Sequence, residues 1–236
     1  MGTTYNANIV RNGLILYLDA ANIRSYSGAG TSWADLSETG IGGTLVNSPS
    51  YTSNNKGGIV FDGLNDYVQV PYNSILAPTL GITVSAWVST NWQTTSSVRI
   101  ASKTEGGGWN LAINDVGAGL LSFAIMINGS YRFATVNKTT VSAGFHNIVG
   151  TCDARYVNLY IDSVLVGTAD RGVTFPQTIT YSNNNSLIIG AEASGGTSPA
   201  GQYTNATISN FSMYNRALTP TEIQKNFNAL RGRYNV

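Results

Sequence analysis

The chain has 236 residues, 42% of them hydrophobic, which suffices for a sizeable core, and only 11% are charged against the roughly 25% of an average globular protein. A formal charge of +1 from scattered Lys and Arg excludes the basic stripe of a nucleic-acid binder. The single Cys152 excludes an intrachain disulfide, and no apolar run approaches the roughly 20 residues that cross a bilayer.

Residues 1–12, MGTTYNANIVRN, read as an N-terminal arm with neither the charged nor the apolar region of a signal peptide, and residues 13–236 as one domain. Short segments of alternating polarity then recur: GLILYLD, GGIVF, DYVQV, ITVSAWVS, RIASK, WNLAI, LLSFAIMI, YRFATV, HNIVGTC, VNLYID, SLIIGA and ATISNFSMY. Gly- and Asn-rich turns such as SNNKGG and NDVGAG separate them. With no 3.6-period segment between strands, a βαβ fold is excluded and two packed antiparallel sheets are expected.

Three stretches in this order carry side chains of interest. In FDGLNDYVQV, Asp62 and Asp66 lie four apart between two strands. They can build the turn by accepting backbone N–H bonds, or contribute oxygens to calcium together with Asp19 and Asn22 of LDAAN. In ITVSAWVS, Ile82, Val84, Ala86 and Val88 alternate onto the core face, so Trp87 points away from it. By the same alternation Asn158 and Tyr160 lie opposite Val157, Leu159 and Ile161, and Asn110 lies opposite Trp109 and Leu111. Rings that stack on sugar C–H faces beside amides that bond hydroxyls make Trp87, Asn110, Asn158 and Tyr160 candidates for carbohydrate binding. The loop aromatics Trp92, Tyr131 and Tyr203 join them as possible rim contacts.

The chain ends in LTPTEIQKNFNALRG, a helix predicted over 220–231. Thr219 is the N-cap, Pro220 the first helical residue and Glu222 the capping-box partner. Ile223, Phe227 and Leu230 form one apolar stripe that should pack on the sandwich, and Gly232 is the expected stop.

GLILYLDA, IVFDGLNDYVQV, ITVSAWVS, HNIVGTCDARYVNLYIDSVLV and ISNFSMYNRALTPTEI, in this order, resemble the laminin-G-like branch of the concanavalin A-like lectin/glucanase superfamily. The resemblance implies an all-β, two-sheet antiparallel jelly-roll sandwich with one short C-terminal helix, whose relatives hold glycans or calcium on a concave face and rim loops. The opening and closing segments are further similar to lectin-like domains in structural proteins of tailed bacteriophages. Relatives often carry an aromatic where Cys152 stands, and a glycine-bearing turn at Asp162 and Ser163.

Catalysis finds little footing. Glycoside hydrolysis usually needs two carboxylates roughly 5 to 9 Å apart, and the paired-acid run of superfamily glucanases is missing. Glu38, Glu105 and Glu192 sit in predicted loops, each without a second acid two residues away. The only histidine, His146, shows no nucleophile elbow or ordering acid nearby in sequence.

These readings converge on a non-enzymatic, lectin-like virion surface protein for decoration, fibre or adhesion. It would be made in the host cytoplasm, require no cofactor beyond a possible structural calcium, and bind host-surface glycans weakly through many copies. Other virion proteins are its further partners. A purely structural capsid or tail decoration protein is the alternative, and a glycoside hydrolase-related module the second.

Overall fold

Among the described residues, the alternating segments pair into two antiparallel sheets of eight strands each. The computed structural model describes residues 8–153, 155–170, 178–181, 184–194 and 199–236. The first sheet runs Val164–Asp170, Tyr156–Ile161, Phe145–Cys152, Ile82–Thr90, Asn205–Tyr214, Gly58–Asp62, Ser50–Thr52. Asn205–Tyr214 is long enough to pair Gly58–Asp62 through its first half and Leu14–Asp19 through its second. The second sheet runs Ser130–Asn137, Leu120–Ile127, Trp109–Ile113, Val98–Lys103, Leu187–Ile189, Tyr67–Val70, Gly43–Val46, Ser32–Trp33. A separate pair joins Glu192–Ala193 to Pro199–Gly201.

The main core lies between the sheets, as the period-two pattern requires. Ile82, Val84, Ala86 and Val88 from the first sheet enter the same buried cluster as Trp109, Leu111, Ile113, Phe123 and Ile125 from the second. Cys152 is buried in that cluster. Gly150 permits the closest approach: a Cβ there would stand 2.3 Å from the Phe123 ring, so any larger residue would force the sheets apart.

The C-terminal helix spans Pro220–Leu230 and covers the outer face of the first sheet. Its capping box is complete: Glu222 N–H donates to Thr219 Oγ1, and Thr219 N–H donates to Glu222 Oε2 at 2.9 Å. Arg216 adds a two-nitrogen grip on the Glu222 carboxylate at 2.6 and 2.8 Å. Ile223, Phe227 and Leu230 are the buried stripe. Gly232 does not form the expected left-handed stop. The helix tightens instead into a 3-10 turn over Arg231–Arg233, which turns Arg233 and Tyr234 down onto the sheet.

Of the expected arm, residues 1–7 lie outside the described residues. Ile9 and Val10 are buried against the helix, where Val10 N–H donates to Asn226 Oδ1 at 2.8 Å and Tyr214 Oη donates to the Val10 carbonyl at 3.1 Å.

Candidate functional site

The aspartates of FDGLNDYVQV are turn formers. Asp62 Oδ1 accepts from Leu64 N–H at 2.8 Å and from Asn65 N–H at 3.3 Å, with Gly63 at φ 78°, while Asp66 Oδ2 accepts from Asp62 N–H at 3.2 Å. The Leu64 amide holds the Asp62 carboxyl below its ordinary range, and burial lifts that of Asp66 above it. The other two calcium candidates are turned elsewhere. Asp19 is fully buried against the Arg233 guanidinium, 2.8 and 3.0 Å from Nη1, and Asn22 Oδ1 accepts from Arg24 N–H. Among the described residues no three His, Cys, Asp or Glu side chains converge as a metal set.

The outer face of the first sheet is sealed, which corrects the expectation of a sugar platform there. Trp87 does point away from the main core, but its ring is stacked between Phe227, at 5.5 Å and 10°, and Tyr234, at 4.2 Å and 18°, and is 1% exposed. A residual cavity of about 10 Å³ borders it, room for one water at most. Tyr160 is buried beside Val10, Val149, Leu218 and Ile223. Asn158 Oδ1 accepts from Thr168 Oγ1 at 2.9 Å. The loop aromatic Trp92 is also buried: it joins the main core, and its Nε1 donates to the Gly144 carbonyl at 3.3 Å. Tyr203 packs half-buried on Tyr67, Ile188, Ala191 and Ala193.

Asn110 and Tyr131, by contrast, meet on the outer face of the second sheet. Strand register explains how. Asn110 pairs Ala124, which pairs Phe133 on the edge strand, so the amide and the ring lie in one row across three strands with a small residue between them. Tyr131, two residues along the same strand face, stacks on Phe133 at 6.1 Å and 21°, and its hydroxyl donates to the Gly107 carbonyl at 3.2 Å. These two half-exposed rings wall one side of a cleft of about 360 Å³. Arg99 and Asn110 line its opposite side, with Glu105, Asp115 and Glu192 around them. Arg99 Nη2 donates to Asp115 Oδ1 and to Glu192 Oε1, both at 2.7 Å, and Asn110 Nδ2 donates to Asp115 Oδ2 at 3.3 Å. Both residues are nearly wholly buried, at 3% and 5% exposure, yet Arg99 Nε and Nη1 and Asn110 Oδ1 have no hydrogen-bond partner among the described residues. Such unsatisfied atoms are rare in folded proteins and mark places where a ligand or water completes the bonding. The acids come from positions 105, 115 and 192, a convergence with no local sequence signal.

A second constellation also escaped the sequence. Asp162, sixteen residues on, is the acid beside His146: its Oδ2 lies 2.5 Å from Nδ1, while Nε2 lies 3.1 Å from Ser142 Oγ. The order matches a nucleophilic triad. However, the same Nε2 lies 3.1 Å from the Ser142 carbonyl oxygen, which can only accept, so a protonated Nε2 donates there and takes no proton from the hydroxyl. The Asp162 bond is the chief influence raising the His146 pKa, with burial opposing it. The ring's work is to tie the loop before Phe145–Cys152 to the Asp162 turn.

No curated protein sequence matches the chain. Its fold is similar to the receptor-binding domain of botulinum neurotoxin C/D mosaic serotype, with a TM-score of 0.70 and 14% identity over 93% of this chain and 52% of that one. The binding domain of Paraclostridial Mosquitocidal Protein 1 matches with a TM-score of 0.70 and 16% identity, over 92% and 52%. The botulinum neurotoxin serotype D ligand-binding domain in complex with N-acetylneuraminic acid matches with a TM-score of 0.67 and 14% identity, over 93% and 51%. This chain thus spans about half the length of each, and at these identities the likeness concerns the fold. A family model described as the concanavalin A-like lectin/glucanases superfamily, of laminin-G type, matches residues 61–224. The chain therefore belongs to the concanavalin A-like lectin/glucanase superfamily.

Proposed function

We propose that this chain is a non-catalytic glycan-binding module whose ligand lies in the cleft between the Tyr131–Phe133 pair and Arg99 with Asn110. The observation that carries the reading is the pairing, in a cleft of about 360 Å³, of stacked aromatic rings with buried donors and an acceptor left without partners among the described residues. That volume suits a small saccharide segment. A sugar presents an apolar C–H face to the rings and hydroxyls that both donate and accept, which is the complement of Asn110 Oδ1 and Arg99 Nη1. The fold likeness to a receptor-binding domain, and to a ligand-binding domain in complex with N-acetylneuraminic acid, supports a binding rather than a catalytic task. The resemblance of the chain's opening and closing segments to lectin-like domains of phage structural proteins supports a place on a virion surface, in many copies that offset weak single-site affinity.

A glycan array with purified protein, run with calcium and with chelator, tests this. Binding should appear in both conditions and vanish in the Tyr131→Ala, Phe133→Ala double variant, with the melting temperature nearly unchanged because both rings stand on an exposed edge strand. Silence across host-surface polysaccharides would favour the purely structural virion protein, a reading to which the sealing of Trp87 and Tyr160 lends weight. Oligosaccharide cleavage abolished by Glu192→Gln would overturn the non-catalytic assignment in favour of a hydrolase-related module.

A further inference from the structure

The charge inventory of the cleft selects among glycans. Three carboxylates, Glu105, Asp115 and Glu192, border it against one guanidinium, Arg99, so the lining carries an excess of two negative charges in a chain whose formal total is +1. Arg99 is already engaged by two of the acids through a single nitrogen. The rings oppose this acidic side, and the negative face of an aromatic ring also attracts cations. The site is more than an acidic cluster. Arg99 and Asn110, each more than nine-tenths buried, border it with polar atoms that no described group satisfies. The Tyr131 hydroxyl reports the same field: burial raises its pKa most, and Glu105 and Asp115 raise it further, with Arg99 opposing them.

Resting on the glycan-binding reading, we propose that the cleft between Tyr131–Phe133 and Asp115–Glu192 takes an amine-bearing sugar, a saccharide with an unacetylated, protonated amino group, and discriminates against acidic sugars. The amino group sits between the ring faces and the carboxylates, where it meets the attraction of both. A carboxylate-bearing sugar would meet the excess of two negative charges, with Arg99 already shared between Asp115 and Glu192.

The test compares three tetrasaccharide probes by isothermal or NMR titration at low salt and about pH 5, where the sugar amines are protonated while Asp and Glu carboxylates stay ionised: β-1,4-linked glucosamine, its fully N-acetylated counterpart, and galacturonate. The glucosamine probe is expected to bind about ten-fold more tightly than the acetylated one, with galacturonate weakest and the preference shrinking as salt rises. Glu105 is exposed, and the near-isosteric Glu105→Gln should lower glucosamine affinity about three-fold and that of the acetylated probe by less, so that the preference between them shrinks. Equal binding of glucosamine and its acetylated form, tightest binding of galacturonate, or a preference untouched by Glu105→Gln would overturn the inference while leaving the glycan-binding reading intact. Failure of all three probes, together with a silent array, would bring down both.

Discussion

Asp162 and Ser163 carry φ angles of 50° and 68°, the pair of positive values that a two-residue type I′ hairpin turn requires and that glycine would adopt more easily. The departure from glycine has a physical reason. The Asp162 carboxylate accepts from Asn147 N–H at 2.8 Å and bonds the His146 ring at 2.5 Å, contacts that glycine cannot make. Because Asp162 raises the His146 pKa, the folded chain keeps this proton to higher pH than the unfolded chain, whose histidine releases it near about 6.5. The stabilisation is therefore complete below the unfolded value and fades as pH rises through the folded one. Asp162→Asn should lower the melting temperature at about pH 6 more than at about pH 8, flattening the pH dependence of thermal melts. An equal loss at both pH values would show that the charge on His146 contributes nothing to the stabilisation. A parallel argument covers Asp62 and Asp66. Their oxygens already serve loop amides, so a melting temperature followed with calcium and then with chelator is expected to stay constant.

At the scale of elements, the C-terminal helix does what its stripe predicts, and in doing so removes Trp87 from any ligand. Trp87→Ala should destabilise the fold by about 3–5 kcal/mol in denaturant melts, since it empties the space between Phe227 and Tyr234, and should leave glycan binding at the second sheet unchanged. Thr219→Ala removes the N-cap acceptor, with an expected loss of about 1 kcal/mol. The helix and its start were legible because caps and 3.6-residue spacing are local signals. So was the inward set of ITVSAWVS, because alternation fixes which side chains share a face. What covers the other face was not legible: the register of Phe227 and Tyr234 over Trp87 is a long-range contact. The Gly232 stop failed for a related reason, because the buried Arg233–Asp19 ion pair continues the turn beyond the helix that the local pattern describes.

Across the whole molecule, alternation says which residues lie outside a sheet but not which sheet they belong to. Alternation alone therefore marks Trp87, Asn158, Tyr160 and Asn110 equally as outward-facing, whereas the first three stand on the first sheet and Asn110 on the second. The short strands Ser32–Trp33, Gly43–Val46 and Ser50–Thr52 and the edge strand Val164–Asp170 carry too little alternation to be read as strands, although they complete both sheets. The cleft needs this global assembly, since its acids lie in three separate loops or short segments and its rings on an edge strand. The same division of faces yields a prediction about the molecule. The first sheet's outer face carries Tyr17, Trp87, Val149, Tyr160 and Tyr214, all buried beneath residues 220–236 and the segment at Ile9 and Val10. Deleting residues 220–236 exposes this apolar surface and leaves the Asp19 carboxylate without the Arg233 guanidinium, while the core between the sheets is untouched. The truncated chain should keep its β-sheet far-ultraviolet signal yet self-associate, detected as concentration-dependent light scattering, and restoring the segment as a separate peptide should reverse it. A truncated chain that stays monomeric with an unchanged melting temperature would mean that the helix is an accessory to the sandwich and not its cover.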